Sequence, residues 1–164
     1  MNTIRFKADT RLRKRFFVPE SFAHPAKMAC GIFLECLERY SKPGDTVVDV
    51  MAGSGTALLG AMYGRHMWLI ELEEHFCIPM RASWRKIQVN GPALGHTMGS
   101  VTILQGDARA LPFLSADCVI TSPPYAESIH PTSISEEHWA NPRRVGWAAL
   151  SQARQLSGYT RPPA

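Results

Sequence analysis

Ser122-Pro123-Pro124-Tyr125 follows directly on the apolar run Cys118-Val119-Ile120-Thr121, combining a strand end, a rigid turn and an aromatic ring. Two prolines fix φ and remove two backbone donors, so the turn presents carbonyl oxygens, a serine hydroxyl and a ring with little conformational freedom. A planar amide or aminopyrimidine group can hydrogen-bond to such a turn and stack on Tyr125. An ordinary loop is written with the same four letters, because proline pairs commonly just mark turns.

Upstream, Asp45-Thr46-Val47-Val48-Asp49-Val50-Met51-Ala52-Gly53-Ser54-Gly55-Thr56 reads as a short apolar strand entering a glycine-rich turn and then a helix. Gly53 and Gly55 permit positive φ and close backbone approach, and the helix start offers unpaired N–H groups to a carboxylate or phosphate. The dinucleotide fingerprint G-x-G-x-x-G is broken because Leu58 stands at the third glycine position, which disfavours a nicotinamide cofactor. A second apolar stretch, Met67 to Glu71, ends in an acid 22 positions after Asp49, where a second parallel strand places a carboxylate against ribose hydroxyls. With Glu73 and Glu74 following, the same acid also reads as part of a solvated turn before a helix. A third strand, Val101 to Leu104, runs into Gln105-Gly106-Asp107-Ala108-Arg109. Asp107 is placed to accept a hydrogen bond from an adenine amino group, or simply to make a turn.

In this order the segments resemble the amino-methylating DNA methyltransferases, which use S-adenosylmethionine to modify the exocyclic nitrogen of cytosine or adenine. The family's D-P-F-x-G-S-G-T segment, which binds the methionine part of the cofactor, is similar to Asp49-Val50-Met51-Ala52-Gly53-Ser54-Gly55-Thr56. Val50 stands where the family has proline, at a position that needs extended backbone more than a ring. The second-strand acid looks like Glu71 and the adenine-contacting aspartate looks like Asp107, with Ala108 beside it. His24-Pro25-Ala26-Lys27 is similar to the H-P-A-K segment that helps close the methionine pocket, so Pro25, Ala26 and Lys27 join the implied cofactor site. The S-P-P-Y or D-P-P-Y catalytic turn corresponds to Ser122, Pro123, Pro124 and Tyr125. Its serine form implies N4 of cytosine, with N6 of adenine as the family's other target. In a duplex the target base is flipped out of the stack. Two alternatives stay open: an RNA guanine methyltransferase with a similar glycine loop, and a non-catalytic remnant that binds S-adenosylmethionine or nucleic acid.

The elements that must position these residues form an α/β arrangement, a Rossmann-like methyltransferase sheet. Four strands are legible before residue 125, against seven in the resembled family. After Tyr125, Pro131, Pro142, Pro162 and Pro163 recur and no apolar run reads as a strand, so the sheet is expected to be incomplete or completed by a missing C-terminal segment or a partner chain. Poor activity of the chain alone is the corresponding expectation. Residues 24–125 read as the cofactor-binding and catalytic core, 126–164 as a loop or truncated tail, and 1–23 as a basic arm. Between Arg5 and Arg15 that arm carries Arg5, Lys7, Arg11, Arg13, Lys14 and Arg15 against a single acid, Asp9, and reads either as a phosphate-contacting arm or as a solvated terminus.

Pro25 to Tyr40 reads as an amphipathic helix with Phe33, Leu37 and Tyr40 on one face. A further helix from Ala57 to Tyr63 stops at Gly64, and another begins near Glu74, with Pro79 expected to kink or restart it. Its apolar face is Met80, Trp84 and Ile87, and residues 90–100 read as a loop. The 164 residues are 45% hydrophobic, enough for one domain core. A net charge of +4 and a pI near 9.0 suit a polyanionic partner such as DNA. Cys30, Cys36, Cys77 and Cys118 lack paired metal-site spacing and read as buried reduced thiols, and the six histidines show no ligand spacing. No apolar run has membrane length and no signal peptide is read, which implies a cytoplasmic protein.

Overall fold

The runs Val47-Val48 and Leu69-Ile70 are apolar without alternation, the pattern of strands covered on both faces, and that is how they lie in the computed structural model. The structure describes residues 6, 8–23, 27–111 and 115–123, all within a unit spanning Met1–Pro123. Four strands form one wholly parallel sheet: β1 (Thr46–Asp49), β2 (His66–Glu71), β3 (Val101–Gln105) and β4 (Cys118–Val119), in the order β3-β2-β1-β4. The fold is therefore the expected Rossmann-like α/β sheet. Each of the four sequence-read strands is present, with β4 reduced to two paired residues.

The order sets the position of the site. The chain moves outward from β1 to β2 and β3, then returns to the other side of β1 for β4. The crevice between β1 and β4 is the switch point at which parallel α/β sheets bind their ligands, beyond the carboxyl ends of the strands. Asp49 ends β1 and pairs with Leu69, which puts Glu71 two residues further along β2, opposite Gln105 of β3. Beyond β4, the Ile120 N–H donates to the Val48 carbonyl at 3.0 Å, which carries Thr121 and Ser122 past the end of β1.

The helices differ from the sequence reading in instructive ways. α1 (Thr10–Phe16) lies in the segment read as an arm, and a 3-10 turn, Pro19–Ala23, follows it. Phe16, Phe17 and Arg13 are buried, the Val18 N–H donates to Ser83 Oγ at 3.1 Å, and Lys86 Nζ donates to the carbonyls of Lys14 and Phe17. From Thr10 onward the segment is thus part of the fold, because its two phenylalanines supply apolar area that a solvated arm would leave in water.

α2 (Cys30–Tyr40) starts at Cys30, not at Pro25; Pro25 and Ala26 lie outside the described residues. The start is set from a distance, since Asp9 Oδ2 accepts the Cys30 N–H at 2.9 Å. Its core face is Cys30, Phe33 and Leu37, whereas Tyr40 is 68% exposed and is not on that face. At its end Arg65, fully buried, donates to the Leu37 and Ser41 carbonyls and to Ser41 Oγ.

After the glycine loop a 3-10 turn, Thr56–Leu58, passes into the short α3 (Leu59–Met62), with Gly64 in the left-handed region (φ 83°) as the expected stop. α4 (Glu74–Asn90) runs unbroken through Pro79. A proline here forfeits one bond to the His75 carbonyl, a cost of about 3 kcal/mol, which the buried packing of Cys77, Met80 and Ile87 offsets. Cys30 and Cys77 are buried as expected, Cys36 and Cys118 only partly, and all four are free thiols. No helix among the described residues is long and apolar enough to cross a membrane.

Candidate active site

The loop from Met51 to Thr56 is folded so that only glycine fits at its turning points. Gly53 (φ 53°) and Gly55 (φ 81°) occupy the left-handed region, and a Cβ at Gly55 would stand 2.6 Å from Met80 Cγ and 3.1 Å from Leu58 Cδ1. The Ala52 N–H donates to the Ile70 carbonyl at 2.9 Å, tying the turn to the end of β2. Met51 projects into solvent, while Ala52, Gly53, Ser54, Gly55 and Thr56 are buried. Ser54 is 2% exposed and its Oγ has no hydrogen-bond partner, a costly arrangement for a buried hydroxyl and one that an incoming acceptor would relieve. The helix behind the loop is short, one 3-10 turn and four α-helical residues, so its dipole adds less to an anion than the sequence pattern promises.

Glu71 is 8% exposed and braces the loop with both oxygens: Oε2 accepts the Gly53 N–H at 2.7 Å and Oε1 the Glu73 N–H at 3.0 Å. Each oxygen keeps a further lone pair for a hydroxyl donor. Asp49, 5% exposed, accepts the Met51 N–H at 3.1 Å. Burial pushes its pKa up to about 6, with the neighbouring Glu71 charge adding to the rise, while Thr121 and the Met51 N–H act in the opposite direction. The buried Thr121 hydroxyl stands close enough to favour ionised Asp49 without closing a hydrogen bond of full geometry. Two carboxylates therefore meet at the carboxyl ends of β1 and β2, beside the chain leaving β4.

The other site residues are placed as follows. Asp107 lies two residues beyond β3, partly exposed, with Arg109 donating to it from Nε at 3.0 and 3.1 Å and from its N–H at 2.9 Å. Those bonds, side chain first, hold its pKa down to about 2, so it stays an ionised acceptor. Ala108 is half-buried beside it. Ser122 and Pro123 are exposed just past β4; Pro124 and Tyr125 lie outside the described residues. Lys27 donates to the Phe22 carbonyl at 3.1 Å, and its pKa is lowered by burial and by the charge of Arg13, with Asp9 opposing. The strand ends thus gather Asp49, the glycine loop, Glu71 and Ser122 along one edge.

Sequence reasoning missed Arg13, Asp9 and Thr121. Asp9 and Arg13 stand four apart, the spacing of a helical ion pair, and Phe16 follows three residues later; that was the available signal for a docked helix. A cavity of about 280 Å³ lined by Leu12, Phe16, Leu34, Leu59 and Met62 is separate, since none of the strand-end residues borders it.

No family model matches the sequence, and no curated protein does. Among solved structures the chain is similar to TrmN from Thermus thermophilus, with a TM-score of 0.55 at 23% identity over 71% of this chain and 33% of that one. The chain therefore spans about a third of the length of that protein, and the likeness is one of fold. It is also similar to a dimethyladenosine transferase from Plasmodium falciparum (TM-score 0.45, 16% identity, 66% of this chain and 34% of that one). A candidate S-adenosyl-L-methionine-dependent methyltransferase from Methanococcus maripaludis gives a TM-score of 0.46 at 17% identity, covering 74% of this chain and 53% of that one.

Proposed function

We propose that the chain is the cofactor-binding and catalytic part of an S-adenosylmethionine-dependent methyltransferase acting on an exocyclic amine of DNA, N4 of cytosine. The observation that carries the reading is the glycine loop at the sheet's switch point. Its left-handed Gly53 and Gly55, its orphaned Ser54 Oγ and the carboxylates of Asp49 and Glu71 suit a nucleoside bearing an amino-acid arm. Glu71 would take the ribose hydroxyls, Asp107 and Ala108 the adenine, and Met51 to Thr56 with residues 25–27 the methionine part. S-adenosylmethionine supplies an electrophilic methyl group on a sulfonium.

The chain's own contribution is to make the amine reactive. The lone pair of an exocyclic amine is delocalised into its ring until the amino hydrogens are held out of plane. Ser122 Oγ and the Pro123 carbonyl are the acceptors for those hydrogens, and Tyr125 the stacking surface for the extruded base. No strong base is needed before attack, because the methylated nitrogen becomes acidic and releases its proton afterwards.

The test pairs calorimetry with product analysis. S-adenosylhomocysteine is titrated into the chain, and labelled S-adenosylmethionine is then offered with duplex DNA and with RNA. Binding plus slow formation of N4-methylcytosine in DNA is the expected result. Methylated adenine overturns the cytosine assignment, modified RNA the DNA one, and binding without transfer identifies a remnant. Absence of binding refutes the cofactor site.

A further inference from the structure

Four segments meet at one side chain. Arg13 on α1 is 6% exposed, and its guanidinium donates from Nε to Asp9 Oδ2 at 3.0 Å and from Nη2 to the Met28 carbonyl and, at 3.2 Å, to Thr56 Oγ1. Thr56 closes the glycine loop, and its hydroxyl donates to the same Met28 carbonyl at 3.2 Å. Asp9 in turn receives the first N–H of α2. Thus α1, residues 27–29, the start of α2 and the glycine loop are joined through one guanidinium, although 43 residues separate Arg13 from Thr56.

Burying a guanidinium is expensive, and joining α1 to the core does not require it, because Phe16 and Phe17 already do so. What the charge adds is polarity. The loop has a corner at Thr56 where Arg13, ion-paired with Asp9, and the nearby Lys27 leave an excess of positive charge, and an anionic one at Asp49 and Glu71, with the unpartnered Ser54 Oγ two residues from Thr56. A ligand arm with a carboxylate at one end and a cationic centre near the other complements that arrangement.

We infer that Arg13 is a positioning residue for the carboxylate end of the ligand's amino-acid arm. It holds the Thr56 hydroxyl and residues 27–29 against the glycine loop, so that Ser54 Oγ meets the carboxylate in a fixed geometry. The inference rests on reading this loop as the S-adenosylmethionine site.

Calorimetry on the full chain with two ligands tests it. S-adenosylhomocysteine carries the amino-acid arm, whereas 5′-methylthioadenosine keeps the nucleoside and thioether without it. Arg13→Met keeps an unbranched apolar stem and removes the planar fork, whose central carbon lies 5.7 Å from the centroid of the Phe17 ring. The variant should bind S-adenosylhomocysteine at least tenfold more weakly and 5′-methylthioadenosine within twofold of the parent. Arg13→Lys should fall between, since it restores charge without the fork. Thr56→Val provides an independent variant in which Arg13 keeps Asp9 and Met28, and it should show the same selective loss. Equal losses for both ligands, or no loss, overturn the inference. A parent chain that binds neither ligand refutes the cofactor reading instead, and a parent that binds both with non-selective variants refutes only the role of Arg13.

Discussion

Asp49→Asn should make the protein more stable at neutral pH and weaken its hold on a cationic ligand. In the folded protein burial raises the Asp49 pKa from 3.8 to about 6. A carboxyl raised in this way contributes stability that is fully present below pH 3.8 and is lost as pH rises through about 6. A shift of about 2 units corresponds to roughly 3 kcal/mol, of which about 2 kcal/mol is lost between pH 4.5 and 7.5. Asn keeps an acceptor for the Met51 N–H and cannot ionise. The assay is urea denaturation of parent and variant at both pH values. Asp9 is held down by the Cys30 N–H and Arg13 in spite of burial, and Asp107 by Arg109. Their stabilisation is lost as pH falls, but both residues are common to parent and variant and cancel in the difference. The stability gap should widen by about 2 kcal/mol from pH 4.5 to 7.5, and a gap that stays constant within 0.5 kcal/mol, roughly the additivity error, would refute the reasoning. The same substitution should reduce affinity for S-adenosylmethionine, with its sulfonium, more than for neutral-thioether S-adenosylhomocysteine, because the sulfonium adds an attraction to ionised Asp49 that the thioether lacks. In the parent that preference should fade as pH drops through about 6.

Gly55→Val should abolish cofactor binding and cost more than the ~1–2 kcal/mol of a left-handed non-glycine residue, because its Cβ also meets Met80 and Leu58; calorimetry and thermal melting read the two effects. Ser122→Ala should slow methyl transfer while leaving the dissociation constant of S-adenosylhomocysteine within twofold, so a parallel loss of binding would count against a role at the target amine. Gly99→Ala should be among the most damaging single-methyl additions, since its Cβ would lie within 1.9 Å of the Arg65 backbone carbonyl; a melting temperature equal to that of the parent would show that the loop before β3 does not approach so closely. Arg65→Met should destabilise by about 3 kcal/mol or more, because the Leu37 and Ser41 carbonyls at the end of α2 lose a buried donor.

The sequence by itself determined what is local. Val47-Val48 and Leu69-Ile70 declare buried parallel strands, because a strand covered on both faces cannot alternate. Gly53 and Gly55 announce a turn in the left-handed region, and the acids and the serine after each apolar run fall at strand ends, where a parallel sheet presents its ligand-facing edge. Tertiary structure decided what depends on partners distant in the chain. Residues 9–16 carry the spacing of a docked helix but do not say that its partner is α4, since that docking needs Ser83 and Lys86. Nothing near Pro25 says that α2 waits until Cys30, since the residue that meets its first N–H is Asp9. The raised pKa of Asp49 likewise follows from burial beside Glu71 and Thr121, brought together from β1, β2 and the end of β4. Period and turn chemistry act over a few residues and are written in the chain. Desolvation and a shared guanidinium arise only when the sheet has closed around them.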